Sequence, residues 1–185
     1  MEKVDRSSAK RLRSLEAARF LILRDGLRAT TMEAIAREAG IAKPTLYAQF
    51  PDKTAVFAAL VDLTLTEVLE AADAGFATQG AVYERIGEAL ARQYLAISAI
   101  LSGSPHADEL MEEPRRSDLQ LKERHFRIEA RIVEELRAAG VEDASYLARV
   151  LIAAAHGISI KIREPDVMSS AIKLATRRLV EPELT

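Results

Sequence analysis

The chain has 185 residues, of which 49% are hydrophobic and only 5% aromatic, and its formal net charge is −2 at pH 7. It contains no cysteine, which excludes disulfides and thiolate metal sites. Nothing in it resembles a signal peptide or a long uncharged apolar stretch, so we expect a cytoplasmic protein without membrane contact.

Charge is unevenly distributed along the chain. Residues 1–55 hold 11 Lys and Arg against 7 Asp and Glu, whereas the remaining residues hold 15 against 21. This asymmetry is expected if only the N-terminal part faces phosphates, although a solvated charged helix would give similar numbers. Because Ala, Leu, Glu and Arg dominate the composition, we predict an all-α fold.

Three helices are predicted at the N-terminus, of which the second and third are short. Apolar residues at helical spacing end at Gly26, which suits a left-handed C-cap, and residues 1–9 are interpreted as a frayed polar arm. Thr30 is predicted to cap a second helix, with Glu33 three residues later in a capping box. Pro44 suits the first turn of a third helix that ends at Phe50.

The rest of the chain predicts longer helices. The fourth, from about Lys53 to Ala74 and capped by Asp52, has apolar residues on too many sides for a surface helix. The others are predicted at 82–101, 105–113, 117–139, 144–163 and 166–180, giving about nine in total. We therefore predict two domains, an N-terminal DNA-binding domain over 1–52 and a larger helical domain over 53–185.

The second and third helices together predict a helix-turn-helix. Ala36 is small where the two helices cross, Gly40 tolerates the turn, and Leu46 is the apolar plug of the recognition helix. Each of these residues alone is uninformative, but their spacing inside two short helices is moderately specific.

The segment from Thr31 to Lys53 closely resembles the DNA-binding domain of the tetracycline-repressor (TetR/AcrR) family. The triplet Thr45-Leu46-Tyr47, the exit Phe50-Pro51 and Lys53 are its most diagnostic parts. The close match covers roughly residues 12–60. The resemblance implies a dimeric transcriptional regulator with a C-terminal ligand-binding and dimerisation domain. It also implies repression, which is the commonest role in that family.

Individual residues of the recognition helix can be given roles. If Leu46 and Phe50 dock the helix, its polar side faces the major groove, where Lys43 suits guanine or phosphate, Thr45 a base or thymine methyl, and Gln49 adenine. By resemblance, Tyr47 and Lys53 bind phosphates. The predicted DNA-binding residues are Thr30, Thr31, Lys43, Pro44, Thr45, Tyr47, Gln49 and Lys53.

Several of these residues also have purely structural interpretations. Thr30 with Glu33 more often caps a helix than contacts DNA. Two positions depart from the family pattern: Ala42 stands where Ser or Thr commonly caps the recognition helix, and Ala48 stands where an aromatic residue or His is frequent. We therefore expect readout to depend on the remaining polar residues and on DNA shape.

The last two helices carry apolar stripes suited to a four-helix dimer interface, or alternatively to packing inside one subunit. The predicted interface residues are Leu147, Leu151, Ala154, Ile158, Val167, Ala171, Ile172, Ala175 and Leu179. By family resemblance the middle helices hold an effector pocket, and a hydrophobic or amphipathic small molecule would suit its lining. The candidate lining residues, all of which suit plain core as well, are Phe57, Leu60, Tyr94, Ile97, Ser98, Leu101, His125 and Phe126.

We therefore predict a sequence-specific repressor that is released from palindromic double-stranded operator DNA by a small effector, with no cofactor. A DNA-binding regulator without an effector is the first alternative. A helical enzyme is a distant one, because the chain has no nucleophile motif, glycine-rich phosphate loop or metal-ligand spacing of its histidines. The cluster of His106, Asp108 and Glu109 could bind a divalent cation, but its first interpretation is a solvated helix face.

Overall fold

The computed structural model describes residues 2–102, 104–106 and 119–184, with side chains described for 7–102, 104–106 and 127–184. This part of the chain forms α-helices and no β-strand, which confirms the predicted all-α fold. None of its helices is both long and apolar enough to cross a bilayer. The helices are α1 Glu2–Asp25, α2 Met32–Glu38, α3 Lys43–Gln49, α4 Lys53–Phe76, α5 Val82–Leu101, α6 Leu119–Ala138, α7 Ala144–Lys161 and α8 Pro165–Val180, followed by a 3-10 turn at Glu181–Glu183.

The chain divides into two compact units. The first contains residues 1–64 and 101–118, and the second contains residues 65–100 and 119–185. The division falls within α4, after Thr64. The domain boundary predicted after Asp52 stays a prediction.

The first unit is built on a small core contributed by all four of its helices. The largest of these side chains, each less than 2% exposed, are Ile22, Ile35, Leu46, Phe50 and Leu60. Burial of such side chains is the main favourable term that holds α2 and α3 in place, because each has only seven residues and a helix of that length is not stable alone.

Two features of the first unit differ from the sequence prediction or were not anticipated by it. The polar arm predicted over residues 1–9 is wrong, since α1 begins at Glu2. Glu, Lys, Arg and Ala in this stretch favour helix without tertiary packing. Near the other end of the unit, the Ser104 hydroxyl donates to the main-chain carbonyl of Leu23 at 2.6 Å.

The second unit has its own core, drawn from α4 to α8. Its fully buried side chains include Ile86, Leu90, Ile132, Leu136 and Met168. Helices α6 and α7 pack together, as do α7 and α8. The helix predicted at 105–113 lies almost entirely outside the described residues, while those predicted at 117–139, 144–163 and 166–180 are found with ends that differ by up to two residues.

Candidate nucleic-acid interface

A four-residue turn joins α2 to α3. Ala39 is the C-cap of α2, and Gly40 follows with φ +64°, the left-handed conformation that glycine adopts without strain. The Gly40 amide donates to the Arg37 carbonyl at 3.2 Å, and the Ile41 amide donates to the Ala36 carbonyl at 3.0 Å. This pair of bonds is a Schellman motif, which ends α2 abruptly and lets the chain turn into α3.

Helix α3 is docked by its apolar side, as predicted. Leu46 is completely buried and Phe50 is 1% exposed. Ala42 is the N-cap and makes no side-chain capping bond, while Pro44 lies in the first turn, where its missing amide is not needed. Ala42 therefore caps the helix only weakly, as expected, and burial of Leu46 and Phe50 holds the helix in place instead.

The opposite side of α3 is accessible. Lys43, Pro44, Tyr47 and Ala48 are exposed, with Tyr47 at 46%, and Thr45 is half-buried. This arrangement leaves polar donors and acceptors on a convex helix face, which is the shape that enters a major groove.

Lys43 is held near α2 by an ion pair. Its Nζ lies 3.3 Å from a carboxylate oxygen of Glu33. The pKa of Glu33 is lowered by a hydrogen bond with its own main-chain amide and then by Lys43. Both side chains are more than half exposed, and exposed pairs contribute little to stability, so a phosphate or guanine can compete for Lys43.

The two threonines before α2 have different surroundings, and the N-cap lies one residue later than predicted. Thr30 is only 2% exposed, and its hydroxyl donates to the Gly26 carbonyl at 2.9 Å, so it neither caps α2 nor presents a group to DNA. Thr31 is the N-cap, with its Oγ1 accepting from the Ala34 amide at 3.1 Å. That bond uses an oxygen lone pair and leaves the exposed hydroxyl its proton for a phosphate.

Lys53, at the start of α4, binds main-chain carbonyls within its own unit. Its Nζ donates to the Leu27 carbonyl at 2.8 Å and to the Arg28 carbonyl at 3.3 Å. The ammonium group has three donors, so one remains for an anion. Asp52 caps α4 as predicted, through its Oδ1 and the Ala55 amide at 2.8 Å.

Helix α1 supports the C-terminal end of α3, which the sequence did not indicate. The Arg11 guanidinium lies 4.2 Å from the centre of the Phe50 ring and donates to the Gln49 carbonyl at 3.4 Å. Ser14, which is completely buried, has its hydroxyl oxygen 3.4 Å from Oε1 of the half-buried Gln49. These contacts join residues more than 30 positions apart, so no local pattern could have predicted them.

Residues 15–60, which contain this helix-turn-helix, match the model of the bacterial regulatory proteins of the tetR family. The match covers 46 of the 185 residues and shows a tetR-type N-terminal domain. The α2-turn-α3 unit lies within the matched residues. No relative among the curated proteins matches the chain significantly.

Solved structures share the fold of the chain along nearly its whole length. A TetR-family transcriptional regulator from Streptomyces coelicolor has a TM-score of 0.71 at 19% identity, over 96% of this chain and 97% of that one. A transcriptional regulator from Aquifex aeolicus also has a TM-score of 0.71, at 16% identity, over 92% and 99% of the two chains. The fatty acid degradation regulator FadR from Bacillus halodurans has a TM-score of 0.66 at 16% identity, over 92% and 94%.

The residues predicted to line an effector pocket are distributed between the two units. Phe57, Leu60 and Leu101 belong to the first unit and Tyr94, Ile97 and Ser98 to the second. The side chains of His125 and Phe126 in α6, and residues Asp108 and Glu109, lie outside the described ones. The effector pocket stays a prediction.

Buried polar groups lie beside each other on α5 in the second unit. Burial raises the pKa of the Tyr94 hydroxyl to about 12, and the ring of Tyr94 lies 6.1 Å from that of His156. Gln93 is 6% exposed, and its Oε1 has no hydrogen-bond partner among the described residues. A buried amide oxygen without a partner is costly, so this position is suited to a donor from a bound molecule or water.

Two of the predicted interface residues belong to the core of the subunit. Leu151 and Ile172 are each 1% exposed and are part of the second unit's hydrophobic cluster. Their assignment to the interface is wrong, and the reason is that helical spacing gives the same apolar stripe for a core face and for an interface face. Of the others, Leu147, Ile158 and Leu179 are partly buried against that core, Ala154, Ala171 and Ala175 are partly exposed, and Val167 is 54% exposed.

A face of α7 and α8 that includes the predicted interface residues Val167 and Ala171 is open to solvent. Its large apolar side chains are Tyr146, Ile160, Val167 and Leu174, between 49% and 64% exposed. Between Tyr146 and Ile160 the exposed positions of α7 include Ala153 and Gly157, and a side chain added at Gly157 would meet nothing within 4 Å. We call this the outer face; it comprises Tyr146, Ala153, Gly157 and Ile160 of α7 and Val167, Ala171 and Leu174 of α8.

Proposed function

We propose that the chain is a homodimeric repressor that binds a palindromic operator sequence-specifically and is released by a small amphipathic effector. The observation that carries the proposal is the exposed polar side of α3, held by the buried side chains of Leu46 and Phe50. The same unit carries the Thr31 hydroxyl and the ammonium groups of Lys43 and Lys53, which suit phosphate contacts. Because the family resemblance assigns repression most often, repression is the proposed direction of control.

Dimerisation is supported by the outer face of α7 and α8. Four large apolar side chains exposed on neighbouring helices are unusual for the surface of a monomer. Ala153 and Gly157 on α7, and Ala171 on α8, would allow the helices of two copies to approach closely in a four-helix arrangement. A twofold dimer would carry two recognition helices and would therefore read two half-sites.

The effector is supported by Gln93. Its buried carbonyl oxygen can accept a hydrogen bond, and the surrounding cluster is apolar, so a molecule with an apolar tail and a donor group fits this chemistry. We propose that such a molecule favours a conformation of the body in which the two recognition helices lose the spacing of successive major grooves.

The test of the DNA-binding proposal is selection of bound sequences from random duplexes by the full chain, with sedimentation velocity on the same preparation. A dimer that selects a palindrome with half-sites about one helical turn apart supports the proposal. A monomer, or binding that depends on salt but not on sequence, contradicts it. A reporter carrying the selected operator then gives the direction of control, because repression requires lower expression when the regulator is present.

The effector proposal has its own test. Dodecylamine, dodecanol and dodecanoate share one tail and differ in the donor that they offer to Gln93. We expect the amine or alcohol to raise the unfolding temperature and lower operator affinity, and Gln93→Leu to abolish both effects. If no member of the series changes operator affinity, the regulator without an effector is the better description.

A further inference from the structure

Ser14 contacts two oxygen atoms but has one proton. Its Oγ lies 2.9 Å from the Lys10 carbonyl oxygen, one turn earlier in α1, and 3.4 Å from Oε1 of Gln49. A hydroxyl donates a single strong hydrogen bond and offers lone pairs in all other directions. The much shorter distance assigns the proton to the Lys10 carbonyl, so Ser14 has only acceptor capacity left for Gln49.

Two acceptors cannot satisfy each other in a buried position. Ser14 is completely buried, so water does not separate its hydroxyl from the Gln49 amide. The oxygen and nitrogen of an amide are nearly the same size, and exchanging them by a half-turn of the amide moves no other atom. With the exchange, the Gln49 NH2 group donates to Ser14 and the amide oxygen occupies the branch away from Ser14.

We infer that Ser14 is a positioning residue that orients the Gln49 amide and thereby determines which bases it can read. This inference rests on the proposed role of Gln49 in base readout. If Gln49 reads a base, the branch of its amide away from Ser14 is the one left to meet it. An oxygen there accepts a hydrogen bond, and in the major groove only adenine N6 and cytosine N4 offer an amino donor. Guanine and thymine offer acceptors in the same place and are disfavoured. The structure thus assigns an amino-bearing base, adenine or cytosine, to the Gln49 position of each half-site.

The experiment uses the full chain and the operator obtained by selection. Gln49→Ala first identifies the base pair whose preference depends on this side chain. At that position, adenine is compared with purine, which lacks the amino group, and with 7-deazaadenine, which lacks N7; cytosine is compared with pyrimidin-2-one. Loss of the amino group is expected to lower affinity about tenfold, and loss of N7 to matter much less.

Two variants test the role of Ser14 itself. Ser14→Ala frees the amide to adopt both orientations, so the preference for the amino-bearing base should fall to about twofold while the salt dependence stays unchanged. Ser14→Thr retains the hydroxyl and should keep the full preference, which distinguishes loss of the hydroxyl from a general disturbance at position 14. Circular dichroism of each variant checks that the helices are retained.

The outcomes distinguish failure of base readout by Gln49 from failure of its orientation by Ser14. If Gln49→Ala leaves the preference unchanged at every base pair, the proposed base readout by Gln49 fails, and this inference fails with it. If Gln49→Ala relaxes one position but that position selects guanine or thymine, or if Ser14→Ala retains the full preference, the orientation by Ser14 is overturned and the readout by Gln49 stands.

Discussion

The ammonium group of Lys53 lies 2.8 Å from the main-chain carbonyl oxygen of Leu27, so the residue predicted to clamp a phosphate also ties the start of α4 to the turn after α1. A second carbonyl, that of Arg28, lies 3.3 Å away. These two bonds fix the ammonium position before DNA arrives, which lowers the entropy lost when a phosphate takes the third donor.

The first prediction concerns both roles of Lys53. Lys53→Met keeps the length of the side chain but removes its donors and charge. We expect the free energy of unfolding to fall by about 1 kcal/mol, because the carbonyls are near enough to the surface for water to replace part of the loss. The slope of log affinity against log salt should fall by about one phosphate equivalent.

Lys53→Arg is the matched control, since it retains charge and donors and should change the slope little. Urea unfolding measures the first effect, and binding titrations at several salt concentrations measure the second. A slope identical to that of the wild type in Lys53→Met would remove the phosphate role and leave the structural one.

The second prediction concerns close packing inside the second unit. Gly75 is buried in α4 with the main chain of Glu88 and Ala89 in α5 directly against it, so a methyl group there would overlap backbone atoms. Backbone cannot move aside as a flexible side chain can, so Gly75→Ala should lower the free energy of unfolding by about 1–3 kcal/mol despite its better helix propensity.

The neighbouring Ala74 supplies the comparison, because it is exposed in the same helix turn. Ala74→Gly should cost at most about 1 kcal/mol, through helix propensity alone. Thermal or urea unfolding of both variants decides the matter. If Gly75→Ala lowers the free energy of unfolding no more than Ala74→Gly does, the main chains of α4 and α5 do not approach closely enough at Gly75 to exclude a methyl group.

The helix-turn-helix was predictable from sequence because its determinants are local. Gly40, Pro44, Leu46 and Phe50 each act within a few residues of their own position, and all four are found as expected. The one error there is a shift by one residue: either Thr30 or Thr31 suits an N-cap, and the choice depends on burial of Thr30 beneath the turn at Gly26.

The remaining errors come from information that a single helix does not contain. Leu151 and Tyr146 lie on different faces of α7, and both faces carry apolar residues, so periodicity alone could not tell which one points into the subunit. Likewise, the contacts of Arg11 and Ser14 with the end of α3 depend on tertiary packing. Sequence patterns predict which residues share a face of a helix, whereas tertiary packing determines whether that face contacts the core, another helix or solvent.

The third prediction concerns pH. Glu88 on α5 lies 2.5 Å from Lys173 on α8 and 2.8 Å from Arg92, and hydrogen bonds from Lys173 and then Arg92 lower its pKa. A carboxyl whose pKa is lowered in the folded state stabilises the fold above its unfolded pKa. That contribution is lost as the pH falls through the folded pKa.

We therefore expect the free energy of unfolding to decline on acidification below the ordinary range of glutamate, and the decline to be shallower in Glu88→Gln. Exposed Glu142 provides a matched control, since Glu142→Gln should reproduce the wild-type pH dependence. Urea unfolding at a series of acidic pH values measures the three curves. Identical curves for Glu88→Gln and the wild type would show that the Lys173 contact does not stabilise the fold.

The fourth prediction concerns the outer face of α7 and α8. Gly157 is exposed near the middle of this face, and a side chain added there meets nothing within 4 Å in the single chain. Gly157→Leu should therefore fold normally and gain helix propensity. In a dimer whose helices approach closely at this point, the leucine would hold the two copies apart, and the dissociation constant should rise at least tenfold.

Gly157→Ala is the control, because a single methyl group raises helix propensity and fills little space. Sedimentation velocity over a range of concentrations, with circular dichroism to verify folding, compares the two variants. Operator affinity should fall together with dimerisation in Gly157→Leu, because one recognition helix reads only a half-site. A folded Gly157→Leu that remains dimeric and binds the operator as the wild type does would place the interface elsewhere on the body.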